Sequence, residues 1–342
     1  MTGRSAHSDR RSGGTWSHRQ AAKNFFIAAA VRAALLIADR LPAPLLLVLG
    51  RLAGRAARRL MPTAGRTALA RAEGRLPTQE GTRVARACFE RAGESLAISA
   101  LLRRPAVRAA EWVLVSTEGR AVLDRALARG RGAIVVSAHL GPFEMVAARV
   151  AELGVRPAIV VRESYDRRLD AWIDAHRRAR GVDVIHRGSR HSGLQILRAL
   201  RAGQPVGMLP DLGGRVPSVA ARFLGDTLAF PVGPQLIAKR ARCPILIGTL
   251  ARRHRGSGGS AGCPFELLLS ELPPDGTVAT LTQRVADSLD KAILRSPEDW
   301  LWMAPRNLAI APDSLRTLDL PVRLFEEPAH VQSRAFRLPG AG

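Results

Sequence analysis

The run Ile134-Val-Val-Ser-Ala-His139-Leu-Gly-Pro-Phe-Glu144 carries an imidazole and a carboxylate with four residues between them. That combination can take a proton from a hydroxyl. A carboxylate bound to one ring nitrogen fixes the tautomer and stabilises the imidazolium, which leaves the other nitrogen to act as a base. His139 is then the general base and Glu144 the carboxylate that orients it. The same residues could equally be a capping carboxylate beside a partly buried histidine.

Other side chains could bind the anions such chemistry meets. Arg162 follows an apolar run, and Arg177 lies in Asp174-Ala-His-Arg-Arg-Ala-Arg180; the planar fork of either guanidinium can grip a phosphate. Asp211, in Leu209-Pro210-Asp211, could orient Arg177 or His139, or cap the glycine-rich turn after it. No serine or cysteine stands in a G-x-S-x-G elbow. Ser137, two residues before His139, shares its face of a strand only approximately, so direct attack is expected rather than a covalent enzyme intermediate. His176, His186, His191 and His254 have no metal-ligand spacing, and Cys88, Cys243 and Cys263 form no C-x-x-C pair. Gly188, Gly193, Gly203 and Gly207 make neither a P-loop nor G-x-G-x-x-G. No metal and no cofactor is expected.

These side chains need a sheet edge to hold them. β-branched runs at 133–136, 158–161, 182–185, 205–209 and 245–249 alternate with helical patterns at 143–153, 168–180, 193–202 and 234–241. That succession predicts an α/β fold, a largely parallel central sheet flanked by helices. His139, Arg162 and Asp211 then fall at the C-terminal ends of strands, where open α/β sheets carry their chemistry. Helices are expected earlier at 66–75, 82–102 and 121–129, an exposed loop at 252–262, an edge strand at 265–269 and an amphipathic helix at 280–294.

Four segments are expected: a disordered basic tail at 1–20, a membrane-associating helical segment at 21–62, the main domain at 63–325 and a tail at 326–342. Between Phe25 and Leu60, charges and Pro42 and Pro44 interrupt the apolar residues, so no stretch reaches the ~20 a transmembrane helix needs. Arg51, Arg55, Arg58 and Arg59 lie on roughly one face of a helix whose other face carries Leu45, Val48, Leu49, Leu52 and Leu60. That is the pattern of a basic interfacial helix on an anionic leaflet. A helical hairpin packed on the main domain would read the same way.

Lys+Arg 52 against Asp+Glu 29 gives a formal charge of +23, nearly all of it from arginine. Such a chain attracts anionic partners: nucleic acid, anionic lipid or an acidic protein. A single tyrosine and the lack of an aromatic-interleaved basic stretch argue against nucleic acid. Unpaired cysteine spacing points to a reducing compartment.

Several blocks occur in a fixed order: Glu118-Gly119, 128–136, His139-x4-Glu144, Val161-Arg162, Leu209-Pro210-Asp211, Phe223-Leu-Gly225 with Phe230-Pro231-Val-Gly233-Pro234, and Pro297-Glu298-Asp-Trp300-Leu-Trp302. In these blocks the chain resembles the late-acting lipid A biosynthesis acyltransferases of lauroyl/myristoyl type and their relatives that acylate phosphatidylinositol mannosides, within the lysophospholipid acyltransferase superfamily. The resemblance implies an O-acyltransferase that moves a fatty acyl group from acyl carrier protein, or acyl-CoA, to a hydroxyl of a membrane lipid. It also implies arginines at positions 162 and 177, and an acyl or acceptor pocket lined by the segment holding Phe223, Gly225 and Pro231.

A lipid A precursor is the leading acceptor, with a phosphatidylinositol mannoside or another glycerolipid second; a non-catalytic basic membrane-binding protein is the rival from another class. The expected location is the cytoplasmic face of the inner membrane, peripheral or monotopic. Trp300 and Trp302 could mark the membrane-facing end, since indoles favour interfaces, or sit in the core. Two positions depart from the family pattern. Gly213 stands where the lipid A branch often has a second acid, and Pro142-Phe143 precedes Glu144 where a polar residue and Trp are common.

Overall fold

The computed structural model describes residues 17–163, 167–189, 191–214, 216–253 and 263–304. Residues 1–16 of the tail expected at 1–20, most of the loop at 252–262, His254 and the tail at 326–342 lie outside them, and α1 begins within the expected tail, at His18.

Seven strands form the central sheet: β1 (Val113–Leu114), β2 (Ala133–Val136), β3 (Ala158–Val161), β4 (Asp183–His186), β5 (Pro205–Met208), β8 (Ile245–Arg252) and β9 (Phe265–Leu272). Their order is β1-β9-β8-β2-β5-β3-β4, and every pairing is parallel except β8 with β9. The α/β fold and its largely parallel sheet are as the alternation of patterns predicts. Two details differ. β9 is not an edge strand, because β1 covers it in parallel register, Val113 opposite Phe265; two residues are too few to show a pattern. The segment 218–231 is a separate antiparallel hairpin, β6 (Ser218–Phe223) with β7 (Asp226–Pro231).

β2 lies at the centre, between β5 and β8. Parallel strands covered on both faces are apolar throughout, and Ala133, Ile134 and Val136 are fully buried. Around them pack Leu246 and Leu250 of β8, Leu267 of β9 and Met145 of α6 (Glu144–Glu152).

The N-terminal helices are α1 (His18–Ala38), α2 (Ala43–Leu60), α3 (Pro62–Glu73) and α4 (Thr78–Leu101). α2 lies along α4 at short range because both are small where they meet. A Cβ on Gly54 would collide with the Phe89 carbonyl, and one on Gly93 with the Gly50 carbonyl. Many apolar side chains of α1 and α2 face outward, Phe26 at 70 % exposure being the extreme within α1. Among the described residues no helix is long and apolar enough to cross a membrane.

Candidate active site

The two halves of the site leave the sheet from neighbouring strands. β2 and β5 run in register, Val136 opposite Met208, and the Ser137 N–H donates to Met208 O at 3.0 Å, extending the ladder past β2. Ala138 and Leu140 are buried on either side of His139. The chain then turns at Gly141, whose φ of +59° favours glycine and whose Cβ would press on the Phe265 ring at 3.3 Å. Its N–H donates to Asp299 O at 2.9 Å, which pins the turn.

Asp211 is wholly buried. Its Oδ1 accepts from His139 Nδ1 at 2.8 Å. Its Oδ2 accepts from the His139 backbone N–H at 3.0 Å and from the Trp300 indole N–H at 2.9 Å. With the ring proton on Nδ1 facing the carboxylate, Nε2 keeps the lone pair. The His139 side chain is 25 % exposed, and Nε2 is not among the buried unpaired polar atoms, so it is open to an incoming group. Burial alone would make the imidazole a weaker base, but the charge and hydrogen bond of Asp211, with a further contribution from Glu144, outweigh it and hold His139 above the ordinary histidine value. Burial pushes Asp211 up in turn. The His139 charge and the bonds from its ring, Trp300 and the backbone pull it further down, to below the usual carboxylate range.

Glu144 is therefore not the carboxylate on His139. Arg177, in α7 (Arg167–Ala179), holds it through Nε to Oε2 at 3.1 Å and through a second guanidinium nitrogen to Oε1. A guanidinium offers permanent charge and two parallel donors, a match for a carboxylate that an imidazole cannot equal. Arg177 also faces Asp174 at 3.6 Å. Arg177 thus fixes Glu144, with its charge facing two carboxylates. Asp174 in turn accepts from His186 Nε2 at 2.6 Å. His139 and Phe143 pack edge to face, centroids 4.9 Å apart.

The family model for bacterial lipid A biosynthesis acyltransferases matches residues 16–308. The chain belongs to that family. Phosphatidylinositol mannoside acyltransferases from two strains of Mycobacterium tuberculosis are 26 % identical to it over 197 residues, 57 % of this chain and 60 % of theirs. A lipid A biosynthesis acyltransferase from Shigella flexneri is 26 % identical over 204 residues, 59 % of this chain and 63 % of its own. The chain thus spans about three fifths of the length of these acyltransferase relatives.

The remaining residues of the family blocks fall into two groups. Trp300 and Trp302 are both wholly buried, so neither is an interfacial indole; each buried N–H has an acceptor, Asp211 for Trp300 and Pro297 O at 2.7 Å for Trp302. Phe223 packs against Trp300 at 6.2 Å and Phe230 against Phe223 at 5.3 Å, both edge to face. They back the indole that holds Asp211. Pro231 is buried at the end of β7, and Gly225 forms the hairpin tip at φ +85°, beside Arg75 and the Gly74 carbonyl. Arg162 is exposed just past β3 and has no ionic partner among the described residues.

Two roles escaped the sequence reading. Trp300 orients Asp211, which the need of a buried indole for an acceptor could have suggested. Arg252, at the end of β8, clamps Asp299 at 2.7 Å and the buried Glu94 at 3.0 Å, steadying the segment that carries both Trp300 and the acceptor for Gly141. Among so many arginines nothing marks it. Cys88 is buried and its thiol is pushed up to about 12, so it packs as a small hydrophobe. Among the described residues no group of His, Cys, Asp and Glu is gathered to hold a metal. An apolar cavity of about 240 Å³ adjoins Glu144 and Arg177, with Leu35, Ile159, Trp172 and Ile173 in its walls.

Proposed function

We propose that this protein moves a fatty acyl chain from a thioester donor, acyl carrier protein ahead of acyl-CoA, to a hydroxyl of a lipid A precursor, with His139 as general base and Asp211 as its orienting carboxylate. The observation that carries the reading is the bond from His139 Nδ1 to a buried carboxylate that has no other cation on it among the described residues. The acceptor O–H gives its proton to Nε2 as its oxygen attacks the thioester carbonyl. The tetrahedral oxyanion then collapses with loss of the thiolate, which takes the proton back from the imidazolium. A thiolate leaves readily, so the step asks for no metal.

Glu144, held by Arg177, adds negative charge near the ring and favours the imidazolium that forms during transfer. The apolar cavity beside it suits the hydrocarbon next to the reacting carbonyl. Arg162, free of carboxylates, is the candidate contact for an acceptor phosphate. The outward apolar side chains of α1 and α2 would bring the site to the cytoplasmic surface of the inner membrane.

A phosphatidylinositol mannoside or a related glycolipid is the second reading for the acceptor. It is favoured by Gly213, where a second acid is missing, and by mannoside acyltransferases matching at the same identity as the lipid A enzyme. His139→Ala is expected to lower transfer roughly 10²- to 10⁴-fold while vesicle sedimentation stays as in wild type; equal transfer by both proteins would refute the assignment. Mass spectrometry of lipids from cells with and without the protein separates the two acceptors by the species whose mass shifts.

A further inference from the structure

A second cleft, about 490 Å³, opens between α2 and α4. Arg51 and Arg55 enter it from α2, and Arg83, Arg86 and Arg91 from α4. The acids in its wall are Glu90 and Glu298 alone. Glu90 pairs with Arg55 at 2.8 Å, Glu298 is shared by Arg83 and Arg91, and Arg51 reaches back to the buried Glu94. Arg86 has no ionic partner among the described residues. The cleft therefore keeps a surplus of positive charge. Its guanidiniums also remain open, the Arg51, Arg55 and Arg83 side chains being 44 %, 55 % and 60 % exposed. An arginine with one carboxylate on it still has N–H groups to donate, so the cleft is fitted for a phosphate group.

The same helix indicates where that phosphate comes from. Leu45, Val48, Leu49 and Leu52 stand on α2 at three- and four-residue spacing and are each more than 40 % exposed, so they form one outward apolar stripe. Leu46, Gly50 and Gly54 face the protein on the opposite side, and Arg51 and Arg55 occupy the flank between. A free anion or a nucleic acid would engage the arginines and leave the stripe in water. A helix lying in the headgroup layer uses both: its apolar stripe meets acyl chains and its basic flank meets phosphates.

We propose that this cleft seats the phosphate headgroup of an anionic membrane phospholipid whose acyl chains run along the Leu45, Val48, Leu49 and Leu52 stripe. The inference rests on the membrane-surface part of the function proposed above and not on the transfer chemistry, so either can fail alone.

The test uses the full chain and two kinds of vesicle, phosphatidylcholine alone and phosphatidylcholine with phosphatidylglycerol, read by sedimentation. R55Q/R86Q removes two charges that would face an anionic surface, so binding to the phosphatidylglycerol vesicles should fall roughly 30-fold. Binding to phosphatidylcholine should not change, and neither should acyl transfer to a water-soluble short-chain acceptor. The variant should fold, because the one ion pair it breaks is exposed; a thermal melt checks this. L49Q/L52Q should lose binding to both kinds of vesicle. Wild-type binding of R55Q/R86Q to phosphatidylglycerol vesicles would overturn the proposal. So would unchanged vesicle binding with a raised KM for acyl carrier protein, which would give the cleft to an acidic protein instead.

Discussion

Two histidine–aspartate pairs occupy the same edge of the sheet, His139 with Asp211 and His186 with Asp174, and their bonds are alike at 2.8 Å and 2.6 Å. What surrounds each carboxylate is not alike. Asp211 meets a backbone N–H, an indole N–H and one ring. Asp174 is buried among two guanidiniums as well, Arg177 at 3.6 Å and Arg178 at 3.7 Å. Neutral donors hold Asp211 in place and leave its charge for the imidazole, whereas the arginines compensate the charge of Asp174. The free nitrogens differ too: His139 Nε2 is open, while His186 Nδ1 is buried without a partner. A bonded carboxylate makes a histidine into a base only when its charge is uncompensated and the other nitrogen can be reached.

The sharpest way to break this contrast is Asp211→Asn. An amide keeps the shape but removes the charge and can present its NH₂ to Nδ1, which favours the wrong tautomer. Transfer should fall roughly 10²- to 10⁴-fold. The pH profile should move as well. Wild-type activity should rise as His139 loses its proton, along a limb above the ordinary histidine value, and without Asp211 that limb should shift to lower pH. Stability should follow the same couple. His139 binds its proton more tightly when folded, so its contribution is full below about pH 6.5 and is lost as pH rises through the folded value. Asp211 binds its proton less tightly when folded, so its contribution is present above about pH 3.9 and is lost as pH falls through the folded value. Urea unfolding across pH should therefore separate wild type from Asp211→Asn most between those limits.

Trp300→Phe tests the neutral half of the Asp211 environment. The ring is kept and one N–H is lost, leaving a buried carboxylate oxygen with the backbone donor alone; such losses are worth about 1–3 kcal/mol. Stability should fall by about that amount. The turnover number should drop roughly tenfold with KM little changed, and the pH limb should move in the direction opposite to that of Asp211→Asn, because a less well solvated carboxylate favours the imidazolium more. A loss confined to KM would make the indole a substrate contact instead of a positioning group.

The strands carrying His139 and Asp211 were legible because apolar β-branched runs alternate with helical patterns, and strand ends followed directly. Which carboxylate met His139 was not. Glu144 lies close in sequence, while Asp211 reaches the ring only because β5 is the hydrogen-bonded neighbour of β2, and strand order is not written in local spacing. Arg177 was visible as a cation but not as the partner of Glu144, for the same reason. The indoles could be read either way, because the features that suit Trp to an interface also suit it to a buried carboxylate; both lie in the core. β1 was invisible, its two residues being held only by pairing with β9.

The smallest effects are expected at the second pair, and they decide whether the two pairs really differ. His186→Asn should remove one hydrogen bond from Asp174 at about 1 kcal/mol of stability. The two arginines would still hold that carboxylate, and so Arg177 and Glu144 would stay in place. Transfer should remain within a few-fold of wild type, with the pH limb unmoved, because the nitrogen lost is not one that an acceptor can reach. Asp174→Asn should do somewhat more, since it frees Arg177 to turn away from Glu144, but it acts on His139 only through that carboxylate. If His186→Asn shifted the pH limb as far as Asp211→Asn does, the titrating base would not be His139 alone, and proton removal would have to be assigned to a relay that includes the second pair.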